Sequence, residues 1–232
     1  MFDNHFSCIK VSDTKICPHC YSAKIIKNGH TKTRKQQFYC KNCNKRFLDF
    51  YTHNAYKPNI NEKIIQFTKE GLGIRSTARV LKISATTLLS RIIKIAKDIP
   101  RPVLSSGKSY ELDEIRFFVK QKKRTFWLAY AIDRETRQVA NFYIGRRTNR
   151  TLRAVVKTLI NSKPLKIFTD KLRNYQYLIP EKLHSTKRFS TNRIERKNLN
   201  IRTHLKRFSR RTICFSKSIV MIFAVLKIYF WV

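Results

Sequence analysis

Two pairs of cysteines near the N-terminus constrain the fold of this 232-residue chain more than any other feature. Cys17 and Cys20 form one Cys-x-x-Cys pair, Cys40 and Cys43 form a second, and 19 residues separate the two pairs. Four thiolates presented by two tight turns complete a tetrahedral sulfur site, which suits zinc. A segment this small lacks the core to fold alone, so the metal would supply the folding energy. The pattern predicts structural Zn²⁺ in a zinc ribbon, and four free thiols are the alternative.

The residues between the two cysteine pairs are predicted to form two short strands. Residues 24–27 and 37–39 are the candidate strands, and Asn28-Gly29 between them is a typical hairpin turn. His19, inside the first pair, is interpreted as a solvated turn residue because four thiolates already close the site.

The charge of the chain points to a polyanionic partner. The chain has 50 Lys and Arg residues against 14 Asp and Glu, a net charge of +36, and such a surface repels itself unless a polyanion neutralises it. Nucleic acid is the expected partner because each neutralised phosphate releases a counterion; an anionic membrane surface is the weaker alternative. A hydrophobic content of 42% excludes a merely disordered basic tail.

The sequence favours a cytoplasmic protein with no membrane-spanning segment. The most apolar run, residues 219–232, is shorter than the roughly 20 residues that a spanning helix needs. We therefore expect it to be a buried C-terminal helix. The N-terminus has no basic flank followed by an apolar stretch, so no secretory signal is expected. In an intracellular protein, cysteines are metal ligands or free thiols rather than disulfides.

The central residues are predicted to form a helix-turn-helix domain. Residues 61–67 carry apolar side chains at helical spacing, glycines interrupt them, and residues 74–81 form a second helix. A tight turn leads to Ser84, which can cap a third helix over residues 85–96. The last helix of such a unit enters the major groove of DNA. The candidate groove contacts are Thr86, Thr87, Ser90 and Arg91. A three-helix bundle without a DNA role is the alternative.

The rest of the chain has the element order of an RNase H-like domain. Three strands, a helix, a fourth strand and further helices are predicted over residues 109–119, 125–132, 138–144, 151–160, 165–168, 175–179, 191–210 and 217–231. The predicted organisation is multidomain. It comprises a zinc ribbon (1–58), an all-α helix-turn-helix domain (59–99), a linker (100–107) and an α/β RNase H-like catalytic domain with a mixed sheet (108–232).

A few carboxylates stand out in this last domain, which has 8 acidic residues among 30 basic ones. Asp113 lies in the first strand, Asp170 ends the fourth, and Glu195 lies in the long helix. Hard divalent cations need oxygen ligands, and two such ions held by three carboxylates can activate water and stabilise the leaving oxygen of a phosphodiester. Each acid also has a structural alternative. Asp113 could be a surface strand residue with Glu114 as the competing ligand, Asp170 could cap the following helical turn, and Glu195 could form a salt bridge. Asp133 is assigned to a hairpin turn.

The long helix is predicted to have a buried and a functional stripe. The buried stripe consists of Ile194, Ile201, Leu205 and Phe208. Glu195, Asn198 and Arg202 form a second stripe about 100° away. Asn198 and Arg202 are candidate DNA contacts, since the guanidinium can hold a phosphate bidentately.

The sequence resembles the DDE-type transposases of the insertion sequence type 1 group, from prokaryotic mobile elements. The motifs that carry the resemblance are Cys-Pro-His-Cys at 17–20, Glu-Leu-Asp-Glu at 111–114, Tyr-Ala-Ile-Asp-Arg at 130–134, Thr-Asp at 169–170, and the longer runs at 192–204 and 212–218. The 24 residues between Asp170 and Glu195 match the pattern of the family.

The resemblance implies an RNase H-like domain in which Asp113, Asp170 and Glu195 bind Mg²⁺ or Mn²⁺ and catalyse DNA strand cleavage and strand transfer. It also implies a zinc-finger and helix-turn-helix unit that recognises terminal inverted repeats. The implied partners are double-stranded DNA, both element ends and target, and further copies of the chain in a synaptic complex on the nucleoid.

The sequence departs from the family pattern beside two of these acids. Lys171 and Leu172 follow the second Asp, where Gly is frequent, and Ile115-Arg116-Phe117 replaces aromatic residues near the first. Two other functions stay open: a DNA-binding regulator or inactive relic with a non-catalytic RNase H-like domain, and a structure-specific nuclease without strand transfer.

Overall fold

The C-terminal half of the chain is built around a mixed five-stranded sheet, and the N-terminal half consists of small sheets and three helices. The computed structural model describes residues 9–10, 16–48 and 50–232. The other residues of the predicted segment 1–58 lie outside the described residues.

Two small antiparallel sheets form the N-terminal region. The strands are β1 (Ile9–Lys10), β2 (Ile25–His30), β3 (Gln36–Cys40), β4 (Arg46–Leu48) and β5 (Phe50–Tyr51). β1 pairs with β5, and β2, β3 and β4 form a three-stranded sheet. The rings of Phe38 and Phe47 stack at 5.6 Å between centroids and, with Cys17 and Cys40, form a small core.

The predicted hairpin turn at Asn28-Gly29 is wrong. β2 continues through both residues and the register shifts between Lys27 and His30, which marks a bulge. Gly29 has a positive φ of 69°, and the Gln36 side chain donates to its carbonyl at 2.8 Å. A left-handed glycine serves a bulge as well as a turn, so the dipeptide alone does not separate the two. The reversal follows at residues 31–35, where the Thr31 amide donates to the Lys35 carbonyl.

Three helices confirm the predicted helix-turn-helix layout: α1 (Ile60–Lys69), α2 (Ile74–Leu81) and α3 (Ala85–Asp98). Ser84 caps α3, because its hydroxyl accepts from the Thr87 amide at 3.0 Å. Ile64, Leu88 and Ile92 are fully buried between the helices.

The five-stranded sheet has the order β10-β9-β6-β7-β8. Its strands are β6 (Ser109–Val119), β7 (Gln121–Asp133), β8 (Val139–Gly145), β9 (Lys166–Phe168) and β10 (His184–Ser185). The first three are antiparallel, β9 runs parallel to β6, and β10 runs parallel to β9. The sheet is therefore mixed, as predicted, and its first three strands are antiparallel, as the predicted element order has them.

Helices cover both faces of this sheet. They are α4 (Asn149–Asn161), α5 (Arg173–Leu178), α6 (Asn192–His204) and α7 (Ile219–Trp231). Successive side chains of a strand face opposite ways. Tyr110 and Leu112 of β6 accordingly pack with α4 and α5, whereas Ile115 and Phe117 pack with α6 and α7.

α6 ends earlier than predicted. The helix stops at His204, and a short 3₁₀ turn over Lys206–Phe208 replaces its last part. This change of direction brings the Phe208 ring to 5.1 Å from the Phe117 ring, measured between centroids. The predicted buried stripe is confirmed, since Ile194, Ile201, Leu205 and Phe208 are all buried.

α7 joins the helix-turn-helix unit to the sheet. Its buried residues share one hydrophobic cluster with α1, α3 and β8. On the sheet side, the Phe223 ring lies 5.1 Å from the Phe142 ring, and the Trp231 indole donates to the Val139 carbonyl at 2.9 Å. The prediction of a buried C-terminal helix is confirmed. None of the helices that the structure describes has the length and apolar character needed to traverse a bilayer.

Candidate active site and DNA-binding elements

The four predicted zinc ligands come together at the end of the N-terminal sheet. The sulfur atoms of Cys17 and Cys43 lie 3.6 Å apart, as do those of Cys20 and Cys40, and all four lie within 4.8 Å of one another. A tetrahedral zinc with Zn–S bonds of about 2.3 Å places its sulfurs about 3.8 Å apart. The donor set and its spacing fit Zn²⁺.

Two similar turns present these sulfurs. The Cys17 amide donates to the Ser22 carbonyl, and the Cys40 amide donates to the Lys45 carbonyl, both at 2.9 Å. A residue with positive φ closes each turn, Tyr21 at 57° and Asn44 at 56°. The local backbone therefore turns each pair of thiols toward one point.

Asp113 is the best-defined carboxylate of the candidate active site. It is half-buried in β6, its Oδ1 accepts from the Glu114 amide at 2.7 Å, and its Oδ2 accepts from the Asn198 side-chain amide at 2.6 Å. The pKa of Asp113 is raised to about 6, chiefly by burial and also by the negative charges of Glu114 and Asp170, while the hydrogen bonds from the Glu114 amide and Asn198 oppose the increase.

The structure brings Asp170 beside Asp113. Glu111 of β6 pairs with Phe168 of the parallel strand β9, so each aspartate lies two residues beyond a paired position. The negative charge of Asp170 contributes to the raised pKa of Asp113, which reflects this proximity. Asp170 is exposed, and its Oδ1 accepts from the Leu172 amide at 3.0 Å.

The structure does not bring Glu195 into this pair. Its exposed side chain lies on the first turn of α6, where Oε1 accepts from the Thr191 hydroxyl at 2.9 Å. Within the described residues, the cysteine cluster is the only group of three or more His, Cys, Asp or Glu side chains close enough to hold one ion.

The other two acids of the Glu-Leu-Asp-Glu motif have structural partners. Glu111 is fully buried and accepts from Arg134 at 2.9 Å, Arg193 at 3.3 Å and the Ile194 amide at 3.0 Å. The sequence analysis missed this role, although strand alternation already puts Glu111 on the same face as Asp113.

Glu114, the alternative ligand, points to the opposite face of β6 from Asp113. It accepts from the Tyr175 hydroxyl and, at 3.2 Å, from Arg147. Burial raises the pKa of Glu114, and these two partners oppose the increase. Asp133 has the predicted turn role, because its Oδ1 accepts from the Glu135 amide at 2.7 Å.

Asn198, a predicted DNA contact, is buried between α6 and the sheet. The side chain is only 7% exposed, and both ends of its amide are used: the nitrogen donates to Asp113, and Oδ1 accepts from the Tyr130 hydroxyl at 2.6 Å. Asn198 therefore lies closer to the helix–sheet interface than the predicted stripe implied.

Arg202 lies at the edge of a basic groove. The groove has a volume of about 830 Å³ and is lined in part by Lys206, Arg210 and Arg211. Burial lowers the pKa of Arg202, and the neighbouring Arg210 charge lowers it further. Its Nε is buried without a hydrogen-bond partner among the described residues. An anion in this groove would relieve the repulsion between the Arg202 and Arg210 charges.

The helix-turn-helix candidates fall into two groups. Thr86 and Ser90 are exposed on α3, whereas the Thr87 hydroxyl lies 2.8 Å from that of Ser84 in the helix cap. The Arg91 guanidinium binds within the domain and donates to Asn61 at 3.1 Å and to the Ala55 carbonyl at 2.5 Å. Thr86 and Ser90 are therefore the two candidates whose side chains are exposed and not engaged in the cap or in contacts within the domain.

Comparison with known proteins identifies the family. The family model described as IS1 transposase matches residues 108–231, more than half of the chain, and the model described as InsA C-terminal domain matches residues 51–96. The chain belongs to the IS1 transposase family, which confirms the resemblance seen in the sequence.

Curated relatives match the two parts of the chain. The insertion element iso-IS1n protein InsB of Shigella dysenteriae is 39% identical over 109 residues, which cover 47% of this chain and 83% of that protein. The iso-IS1N protein InsA of the same organism is 38% identical over 73 residues, covering 32% and 81%. Among solved structures, the HTLV-2 integrase catalytic core domain in complex with magnesium has a TM-score of 0.37 and 17% identity, over 55% of this chain and 86% of that chain.

Proposed function

We propose that this chain is an active transposase that binds the terminal inverted repeats of its element and catalyses metal-dependent DNA cleavage and strand transfer. The observation that carries the proposal is the adjacency of Asp113 and Asp170, which lie two residues beyond a paired position on neighbouring parallel strands. Membership in the IS1 transposase family supports the same chemistry.

The carboxylates suit Mg²⁺ or Mn²⁺ as ligands. Each oxygen of Asp113 accepts one hydrogen bond and so keeps a second acceptor site, and Asp170 and Glu195 are exposed. Burial is the main cause of the raised pKa of Asp113, and a divalent cation would relieve the smaller contribution from the charges of Glu114 and Asp170. When bound, such ions supply an activated water and charge stabilisation at the leaving oxygen.

DNA recognition is assigned to three parts of the chain. Thr86 and Ser90 on α3 read the major groove of the terminal repeat, supported by the match of residues 51–96 to the InsA C-terminal domain. Arg202 and the basic groove hold backbone phosphates near Asp113. The four cysteines bind Zn²⁺ and stabilise the zinc ribbon, which is the third part. Cleavage at two element ends brings at least two copies of the chain together.

A strand-transfer assay tests this function. The substrates are duplexes that contain the inverted repeats flanking the gene, with target DNA and Mg²⁺. Asp113→Asn, Asp170→Asn and Glu195→Gln should each abolish cleavage and transfer while leaving repeat binding intact. Asp133→Asn is the matched control, because its Oδ1 can still accept in the turn, and it should retain activity. Cleavage that survives the first three substitutions would contradict the assignment.

A DNA-binding regulator is the second candidate. The separation of Glu195 from the aspartate pair, with its carboxylate bonded to Thr191, favours this reading. Wild-type protein that binds the repeats tightly and cleaves nothing with Mg²⁺ or Mn²⁺ would support the regulator. Cleavage without joining to target DNA would instead indicate a nuclease.

A further inference from the structure

We propose that Asn198, oriented by Tyr130, is a positioning residue that fixes the Asp113 carboxylate and the position of α6 along β6. This inference rests on the proposed function, because it assigns a role in the same active site. It replaces the DNA contact that the sequence suggested for Asn198.

The three side chains form a short buried chain of hydrogen bonds. The Tyr130 hydroxyl donates to Asn198 Oδ1 at 2.6 Å, and Asn198 Nδ2 donates to Asp113 Oδ2 at 2.6 Å. Tyr130 is fully buried, and in the β6–β7 ladder it is the direct cross-strand partner of Asp113. Two adjacent strands and one helix therefore meet at a single amide.

The amide has one orientation in this environment. Turning it over would place its oxygen against the Asp113 carboxylate, so that two acceptors would face each other. The Tyr130 hydroxyl holds the opposite end, and its ring stacks on Phe230 of α7 at 5.8 Å with an interplanar angle of 15°. The carboxylate oxygen thus receives a donor whose direction is fixed by two further elements.

A second hydrogen bond joins α6 to β6, and its distance from the Asn198–Asp113 bond is similar along the helix and along the strand. The Ile194 amide donates to Glu111 at 3.0 Å, one helical turn before Asn198 and two residues before Asp113 on the strand. Four residues of helix advance about 6 Å and two residues of strand about 6.6 Å. α6 is therefore tied to β6 at two points in register. Glu195 lies between the two tie points, so its position relative to Asp113 is fixed by the same pair of bonds.

The test compares three single substitutions in the full-length protein. Tyr130→Phe removes one hydroxyl from the chain of hydrogen bonds, and Asn198→Leu removes the donor to Asp113. Tyr110→Phe is the matched control, since Tyr110 is also a buried tyrosine of the sheet, lies on the opposite face of β6, and has a 3.5 Å contact with the Ser162 hydroxyl. Thermal unfolding establishes that each variant is folded.

Two readouts separate positioning from packing. Binding of Mn²⁺ alone is followed by the loss of the free-ion electron paramagnetic resonance signal, and cleavage of repeat DNA is measured against Mg²⁺ concentration. Partners of ligating carboxylates typically contribute about 10- to 100-fold in metal affinity. We expect Tyr130→Phe and Asn198→Leu to weaken Mn²⁺ binding by about 10-fold or more and to lower kcat with an unchanged KM for DNA. Tyr110→Phe should match wild type in both.

The outcomes are distinct. Tyr130→Phe and Asn198→Leu proteins that bind Mn²⁺ and cleave DNA like Tyr110→Phe would overturn the inference and leave the proposed function standing. If Asn198→Leu does not fold, Tyr130→Phe decides, because it removes a single oxygen atom. Wild-type protein that binds Mn²⁺ but cleaves no repeat DNA would contradict the proposed function, and the Mn²⁺ comparison would still support or refute the positioning role.

Discussion

Replacing Asp113 with asparagine should change how the stability of the protein depends on pH. Burial and neighbouring carboxylates raise the pKa of Asp113 from 3.8 to about 6 in the folded chain. At low pH the side chain is neutral in both the folded and unfolded states. As pH rises through this window, the unfolded chain loses its proton first, so the free energy of unfolding falls. Asp113→Asn removes this loss.

The magnitude follows from the size of the pKa shift. One pKa unit corresponds to about 1.4 kcal/mol, so the shift to about 6 sets an upper limit near 3 kcal/mol. Since the carboxylate is only half-buried and water screens it, about 1 to 2 kcal/mol is expected. The variant should therefore gain about 1 to 2 kcal/mol relative to wild type between pH 4 and pH 8.

Urea unfolding without Mg²⁺ at pH 4, 6 and 8 measures this gain. Trp127 in β7 and Trp231 in α7 are the two tryptophans, so their fluorescence reports on the C-terminal domain. The new amide faces the Asn198 nitrogen, which adds a cost, but that cost is the same at every pH and cancels in the difference. A difference that stays constant from pH 4 to pH 8 would refute the raised pKa.

Three further predictions concern zinc, helix packing and DNA recognition. Cys40→Ser should eliminate bound zinc in metal analysis and accelerate amide exchange over residues 16–48, and a variant that retains zinc would contradict the four-thiolate site. Gly71→Ala should destabilise the protein by about 3 kcal/mol in urea unfolding, because a Cβ there would lie 1.9 Å from the His204 carbonyl oxygen at a φ of +76°. Gly29→Ala, with a φ of +69° and no atom within 4 Å, should cost only about 1 kcal/mol, and equal costs would show that the helix contact is not tight. Ser90→Ala should weaken binding to the terminal repeat about fivefold and leave binding to random DNA unchanged in filter or anisotropy assays, with both affinities falling steeply with salt. Equal losses on the two DNAs would exclude a role for Ser90 in reading sequence.

Elements with strong local signals could be predicted from the sequence. The bounds of β6 are the predicted ones, residues 109–119, because its alternating apolar side chains lie between a linker and a turn. α3 begins after Ser84, as the capping residue indicated. The turn at Asn28-Gly29 failed because a positive-φ glycine fits both a turn and a bulge, and the side-chain bond from Gln36 that stabilises the bulge is not local.

The partners of polar side chains could not be predicted in the same way. Helical periodicity puts Asn198 and Glu195 in one stripe, yet Asn198 is buried against β6 and β7, and Glu195 is exposed. The difference depends on how far α6 is rotated over the sheet, and the bond between Glu111 and the Ile194 amide contributes to that rotation. Such a contact joins residues 83 positions apart, so no local pattern contains it.

The ion pairs of the C-terminal domain give an independent reason to connect its acids with metal. This domain has 30 basic residues, so any carboxylate has many cations within reach. The acids that form salt bridges are Glu111, Glu114 and Glu135. Within the part of the chain that the structure describes, Asp113, Asp170 and Glu195 form none. Asp133 and Glu181 form none either, but Asp133 is occupied in its turn.

Three carboxylates without a basic partner in so basic a domain carry a physical cost, since burial, and then the charges of Glu114 and Asp170, raise the pKa of Asp113. The nearby arginines form ion pairs with other acids: Arg134 and Arg193 bind Glu111, and Arg147 binds Glu114. Because a lysine or arginine at Asp113 would occupy the acceptor sites that a divalent cation needs, the absence of ion pairs at these three acids is what a metal site requires. Under the proposed function, the net charge of +36 serves DNA binding, and these unpaired acids bind the metal ions.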